Sequence, residues 1–294
     1  YRLTIRFYQG AEDQAQSKPT PRAPAGQRGT LLVERSLPGL PDDTAALTLA
    51  TLRSLSRAPE LKMALILPII AGAALSSTRF TLPREMSAHH LTHFIATLVI
   101  LVATFSLAPT MANVFGLDRN GFRALVLLPT RRHHILLAKN LAFFPLVGSI
   151  AVVLLGIVQC LVRLSWSDFL AGVLQVPLAF LLVSLVCNLV AILTPYRMAP
   201  GTLQAKKPKP VVILAVFLTM MGLPIMLAPT LVPPALQALF SWQGWLSWLP
   251  VNLLATLLML LAVGALYWVI LPLEGRLLQR REQAILREVT EEVE

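Results

Sequence analysis

The chain has 294 residues, of which 55% are apolar and only 14% charged, and its mean hydropathy is +0.67. Soluble globular domains carry about a quarter of their residues as Asp, Glu, Lys or Arg, so this composition excludes an ordinary water-soluble domain. The formal charge of +10 does not mark a nucleic-acid binder either, because the basic residues are spread through short connectors between apolar runs.

The chain begins at Tyr1, and its first ten residues have neither the apolar core nor the small-residue cleavage site of a signal peptide. The expectation is a C-terminal part of a longer protein. Residues 1–42 mix Pro, Gly, Gln and charges of both signs without an apolar period, as in Ser17-Lys-Pro-Thr-Pro-Arg22, which reads as a flexible linker or the remnant of a missing N-terminal part. Asp42 and Asp43 offer an N-cap for a helix through about Arg57, with Ala45, Leu49 and Leu52 on one face, Thr44, Thr48 and Thr51 alongside, and Leu55 breaking the period. This is a helix along the membrane surface or an ordinary solvated one.

Six apolar runs follow, near 61–78, 91–113, 141–162, 169–194, 211–232 and 249–273. Each approaches the ~20 residues that carry a helix across about 30 Å of hydrocarbon, so the fold class is all-α, with six transmembrane helices in a domain over 43–273. Pro68, Pro177 and Pro224 are expected to kink their spans.

The connectors alternate in charge. Arg53, Arg57 and Lys62 precede the first span; Arg119, Arg123, Arg131, Arg132 and Lys139 follow the second; Arg197, Lys206, Lys207 and Lys209 follow the fourth; Arg276, Arg280, Arg281 and Arg287 follow the sixth. The other connectors hold only Arg79 and Arg84, then Arg163, then none. The asymmetry predicts both ends of the chain in the cytoplasm and an even number of spans; a plasma (inner) membrane is the expected location.

Between the fifth and sixth runs, 229–250 carries Pro229, Pro233, Pro234 and Pro250 with Trp242, Trp245 and Trp248. It reads as short outer helices at the headgroup level, or as a plain aromatic belt on a short loop. The tail 274–294 alternates basic and acidic groups like a solvated cytoplasmic helix.

The most informative stretch is 113–139. Arg119 and Arg123 at i, i+4, with Phe122, Leu125 and Val126 nearby, predict one helix with a charged and an apolar face. Pro129 ends it, Arg131 and Arg132 follow at the break, and Lys139 is placed to snorkel to the interface. The order Asp118-Arg119, Gly121, a Leu-rich run through Leu128, Pro129, Arg132 and Ile135-Leu-Leu-Ala-Lys139 resembles the stretch joining spans two and three in permease subunits of ATP-binding-cassette exporters of the second (ABC-2) type.

The resemblance extends from about Asp43 to the end and leaves 1–42 uncovered. It implies that the segment holds a coupling helix, with Arg119, Gly121, Arg123, Pro129, Arg131, Arg132 and Lys139 forming a docking site for a cytoplasmic ATPase subunit. It implies further that ATP and Mg bind in that partner, and that a second permease half completes the pathway, as a homodimer or through spans missing from the N-terminal side. Membrane lipid is the remaining partner. In this chain no Gly is followed by Lys, so no phosphate-binding loop of the G-x-x-x-x-G-K type exists and no cofactor is expected in it.

Other readings are open. His89, His90 and His93 are either interfacial or the start of a metal site, but no Glu stands in an H-E-x-x-H arrangement. His133 and His134 have no nucleophile beside them. Gln159, Ser184 and Asn188, with Asn113, Asn140 and Asn252 near span ends, either bond helix to helix or line a pathway. The runs hold no Asp, Glu, Lys or Arg beyond their ends, so no buried ionisable group is expected. That suits energy supplied from outside the chain and a lipid-like or amphipathic cargo. A non-catalytic scaffold or carrier and an intramembrane enzyme are the rival classes, the latter needing an acid, base or metal set at membrane depth.

Overall fold

Continuous apolar sequence has one way to satisfy its backbone in hydrocarbon, and every regular element among the described residues is helical. The computed structural model describes residues 38–58, 89–198, 209–244 and 248–290, with isolated positions 66, 68, 70 and 74. The expected first span and residues 1–37 therefore lie outside them, save for those four positions.

Helix α1 is Asp42–Arg57, α2 is His89–Met111, α3 is Val114–Asp118, α4 is Phe122–Leu127, α5 is Arg132–Val162 and α6 is Trp166–Leu193. Then come α7, Pro210–Leu227, α8, Val232–Gln243, and α9, Val251–Thr290. Five stretches are long and apolar enough to cross a membrane: His93–Met111, Arg132–Val162, Trp166–Leu193, Pro210–Gln243 and Val251–Thr290. This is an all-α polytopic membrane protein.

Two helices are longer than their apolar runs. At 1.5 Å per residue the 31-residue α5 is about 46 Å long and the 40-residue α9 about 60 Å, against a hydrocarbon core of about 30 Å. Helix α5 begins nine residues before the expected Leu141, so Arg132 to Lys139 belong to its first turns. Helix α9 runs through the expected boundary at Leu273 and joins the sixth span to the tail as one rod. The tail is not solvated all round, because Leu278, Ile285 and Val289 are buried.

The core lies among α2, α5, α6 and α9, where Ile100, Leu107, Phe143, Leu154, Leu178 and Leu271 are fully buried. Helix α7 is peripheral. Only Leu223 and Leu227 of its residues are buried, and Val211, Phe217, Leu218 and Ile225 are exposed. Pro177 and Pro224 lie inside α6 and α7 without ending them. A short 3₁₀ turn, Ala228–Leu231, separates α7 from α8, which Gly244 closes at φ 70°. Trp242 and Trp248 are exposed on this segment, and Trp245 lies outside the described residues.

Helix α1 corrects one expectation. Pro41 occupies its N-cap position and makes no side-chain cap bond, while Asp42 and Asp43 lie in the first turn, where carboxylates oppose the helix dipole favourably. Its buried face is Thr44, Thr48, Thr51 and Leu55, at i, i+4, i+7 and i+11. Leu55 completes that stripe and does not break a period. Short threonines let α1 pack closely along α5, and the Thr48 hydroxyl is satisfied within the helix by donating to the Thr44 carbonyl at 2.7 Å.

Candidate functional site

The segment joining α2 to α5 is held at both of its ends. Asn113, at the N-cap position of α3, donates from Nδ2 to the Tyr196 carbonyl at 2.9 Å and accepts the Tyr196 N–H at its Oδ1 at 3.1 Å. That two-point clamp ties the end of α2 to the chain leaving α6. Gly116 makes the clamp possible, since a Cβ there would stand 2.1 Å from the Tyr196 carbonyl oxygen. Burial pushes the Tyr196 phenol above its usual range, with Asn113 opposing.

Lys139, expected to snorkel to the interface, is buried and pairs with Asp118 at 2.6 Å. An ammonium with a carboxylate within reach is better satisfied by turning inward, and the pair fastens α3 to α5. Desolvation pushes the Asp118 carboxyl upward, and the Lys139 charge and hydrogen bond pull it back down.

The chain then breaks where one continuous helix was expected. Arg119 has φ 50° and ψ −127°, a left-handed backbone that an arginine adopts at a cost of order 1 kcal/mol. A 3₁₀ turn, Arg119–Gly121, follows it. Arg119 and Arg123 are therefore not i, i+4 neighbours on one helix.

Helix α4 is two turns long with two unlike faces. Phe122 and Leu125 are buried, and Phe122 meets Phe115 edge to face with centroids 5.2 Å apart. Outward point Arg123, Ala124, Leu127 and Leu128, with Leu127 83% exposed. After Leu127 the chain turns extended at Leu128, as the residue before a proline prefers, and Pro129 follows.

Arg132 holds this helix from below. Its guanidinium donates to the Leu125, Val126 and Leu128 carbonyls at 3.4, 3.0 and 3.2 Å, and its Nε to Glu282 of α9 at 2.8 Å. The carbonyls left open at the end of α4 are thus capped by a cation. Of the seven residues expected to dock a partner, Gly121, Arg123, Pro129 and Arg131 are exposed, whereas Arg119 is half-buried and Arg132 and Lys139 are engaged inside the protein. Leu127 was not among them. Its place four residues after Arg123 was the available signal.

A second polar constellation lies at the other end of the bundle, among α2, α6 and α9. The Asp168 carboxylate accepts from His93 Nδ1 at 2.9 and 3.0 Å, from Ser165 Oγ at 2.6 Å and from Asn252 Nδ2 at 3.0 Å. One layer deeper, Thr97 donates to Gln175 Oε1 at 2.6 Å, and Gln175 Nε2 donates to Thr256 at 3.4 Å. Elsewhere Asn188 donates to Glu274 at 2.9 Å and Asn140 to the Tyr267 hydroxyl at 2.8 Å. The asparagines therefore bond helix to helix.

These contacts overturn the expectation that the bundle holds no buried ionisable group. Asp168, Glu274 and Lys139 are all buried. Asp168 and Glu274 each stand one residue outside the apolar runs read as spans, and the helices carry them inside. For Asp168 a signal existed: Ser165-Trp-Ser-Asp168 is a capping-box pattern, and Ser165 Oγ accepts the Asp168 N–H at 3.1 Å.

Among the described residues no group of three or more His, Cys, Asp or Glu is placed to hold a metal ion, and the side chains of His89 and His90 lie outside the description. Comparison of the chain with protein-family models, with curated proteins and with solved structures finds no match.

Proposed function

We propose that this chain is the membrane-spanning permease subunit of an ATP-driven exporter of the ABC-2 type, powered by a separate cytoplasmic ATPase that binds ATP and Mg. The observation that carries the reading is α4: a two-turn helix, internally capped and clamped, that presents Arg123, Leu127 and Leu128 outward between two span-length helices. A helix supported in this way transmits force, because a push on it must move α3, α5 and α9 together. An exposed leucine flanked by Arg123 and Arg131 suits an apolar notch with an acidic rim on the partner. In this reading the α4 end of the bundle is cytoplasmic, in agreement with the positive-inside distribution. The exposed apolar faces of α7 and α9 are where lipid or a second permease half would pack.

The buried Asp168 and Glu274 remove the earlier reason for a lipid-like cargo, so the cargo is unassigned. They also favour one rival, an ion-coupled carrier, because intramembrane carboxyls serve proton and ion pathways.

The test is capture of the tagged, full-length protein from native membranes in mild detergent, with assay of bound ATPase. The expected result is a partner with a phosphate-binding loop that is lost on combined Arg123→Glu and Leu127→Ala substitution. No partner and no ATP turnover, with transport following an imposed proton gradient, would establish the carrier instead.

A further inference from the structure

Between the end of the α4 segment and the middle of α9 lies an open cavity of about 450 Å³. Its lining includes Arg131, Arg132, His133, Pro272, Arg276 and Gln279 and, among the described residues, no carboxylate. Arg132 is committed to Glu282 and to the α4 carbonyls. Arg131 and Arg276 are exposed and have no partner among the described residues. Two arginines that remain unpaired while facing a shared hollow leave an excess of positive charge that only an anion can neutralise.

Two further features shape the hollow for a small anionic group. Arg131 is the N-cap residue of α5, so that helix's first residues, at the positive end of its dipole, lie beside the cavity. Gly275 lies against them: a Cβ at that position would stand 2.7 Å from both the backbone nitrogen and the Cβ of His133. The close approach of α9 to the start of α5 thus depends on the glycine.

The surface beyond the cavity identifies the source of the anion. Pro272 lies four residues before Arg276 on α9, and Trp268 four before Pro272, so the three share one stripe. Trp268 is 64% exposed, and Val269 and Leu273 beside it are exposed too. A soluble anion has no use for that apolar track, whereas the acyl chains of a lipid do.

We propose that this cavity is a binding site for the phosphate headgroup of an anionic phospholipid, clamped by Arg131 and Arg276, with its chains lying along the Trp268 stripe. Basic hollows between membrane helices near the interface take such headgroups. The inference rests on the membrane placement of the bundle and not on the ATPase reading. It goes beyond that reading in making the support of α4 sensitive to lipid, since Arg131 belongs to both surfaces.

The experiment is a titration of the delipidated, full-length protein with phosphatidylglycerol, with phosphatidylcholine and with inorganic phosphate, read by native mass spectrometry, with melting temperature recorded in parallel. Phosphatidylglycerol is expected to be retained in preference to phosphatidylcholine. Arg131→Gln and Arg276→Gln should each weaken that preference about five-fold without a fall in melting temperature, and Arg287→Gln, on the same helix outside the cavity, should leave it intact. Equal retention of the two lipids, or an undiminished preference in the double variant, would overturn the proposal. Occupancy by inorganic phosphate with no preference between lipids would keep the anion and overturn the lipid.

Discussion

The two ends of the bundle handle charge in opposite ways. At the end where α2 and α9 begin, one carboxylate, Asp168, gathers His93, Ser165 and Asn252, and nothing charged in that cluster is left for a visitor. At the end where α5 begins, Arg132 and Lys139 are spent on the fold, and Arg123, Arg131 and Arg276 are left exposed. The first arrangement locks helices together. The second builds a rigid platform from some cations and displays others on it. Counting basic residues would score the arginines of the second end alike; what separates them is whether a carbonyl or carboxylate of the same chain already occupies the guanidinium.

The largest effect should come from breaking the locked end. Asp168→Ala strands the buried Asn252 amide and the part-buried His93 ring, while the exposed Ser165 hydroxyl can turn to Ser167 or water, and removing one member of a buried, hydrogen-bonded pair costs about 3 kcal/mol. Equilibrium unfolding in detergent should show that loss, and Asp168→Asn, which keeps the shape and one acceptor, should show clearly less. If Asp168→Ala unfolds with wild-type stability, the end is not a lock and the carboxyl is free for ion chemistry.

Next comes the support under α4. Arg132→Ala removes the cap on the Leu125, Val126 and Leu128 carbonyls and leaves Glu282 without its partner, at a cost of about 2 kcal/mol. Because the loss is local, fraying of α4 should expose the bond after Arg123 to trypsin, and faster cleavage there is the more specific readout. Unchanged cleavage would mean that Phe122 and Leu125 hold α4 unaided.

Much of this architecture is legible in the sequence, and the rest fails for identifiable reasons. Helices α2, α5 and α6 announce themselves because an apolar run of span length has no other stable form in lipid. Their ends do not, because charge does not mark the edge of a helix: Arg132 to Lys139 continue α5, and Asp168 and Glu274 are inside helices one residue past the apolar boundary. Local spacing also misplaced Arg119, whose backbone turns left-handed exactly where an i, i+4 relation with Arg123 assumed a helix. On α1 the leucines carry the apolar signal, yet the threonines face the core. The link from Arg132 to Glu282 spans 150 positions, and no local pattern encodes it. The exposed cations were partly readable for the same reason: sequence marks which side chains are cationic, and only packing decides which remain unspent.

The smallest effect on stability should be the most telling about function. Arg123 and Arg132 are both cations of the segment from α4 to α5, yet the first projects outward from α4 and the second, part-buried, is bonded to the α4 carbonyls and Glu282. Arg123 is exposed and has no partner among the described residues, so the stability of Arg123→Glu should stay within about 0.5 kcal/mol of wild type. Arg132→Glu places a carboxylate against three carbonyls and Glu282, and should unfold the segment. In partner capture Arg123→Glu should fail outright while the protein remains folded and in the membrane. The two arginines are thereby separated by a pair of assays that rank them in opposite ways, with stability sensitive to Arg132 and capture sensitive to Arg123 at full stability. If Arg123→Glu leaves both readouts unchanged, the exposed face of α4 is not where force enters the bundle, and the platform serves lipid alone.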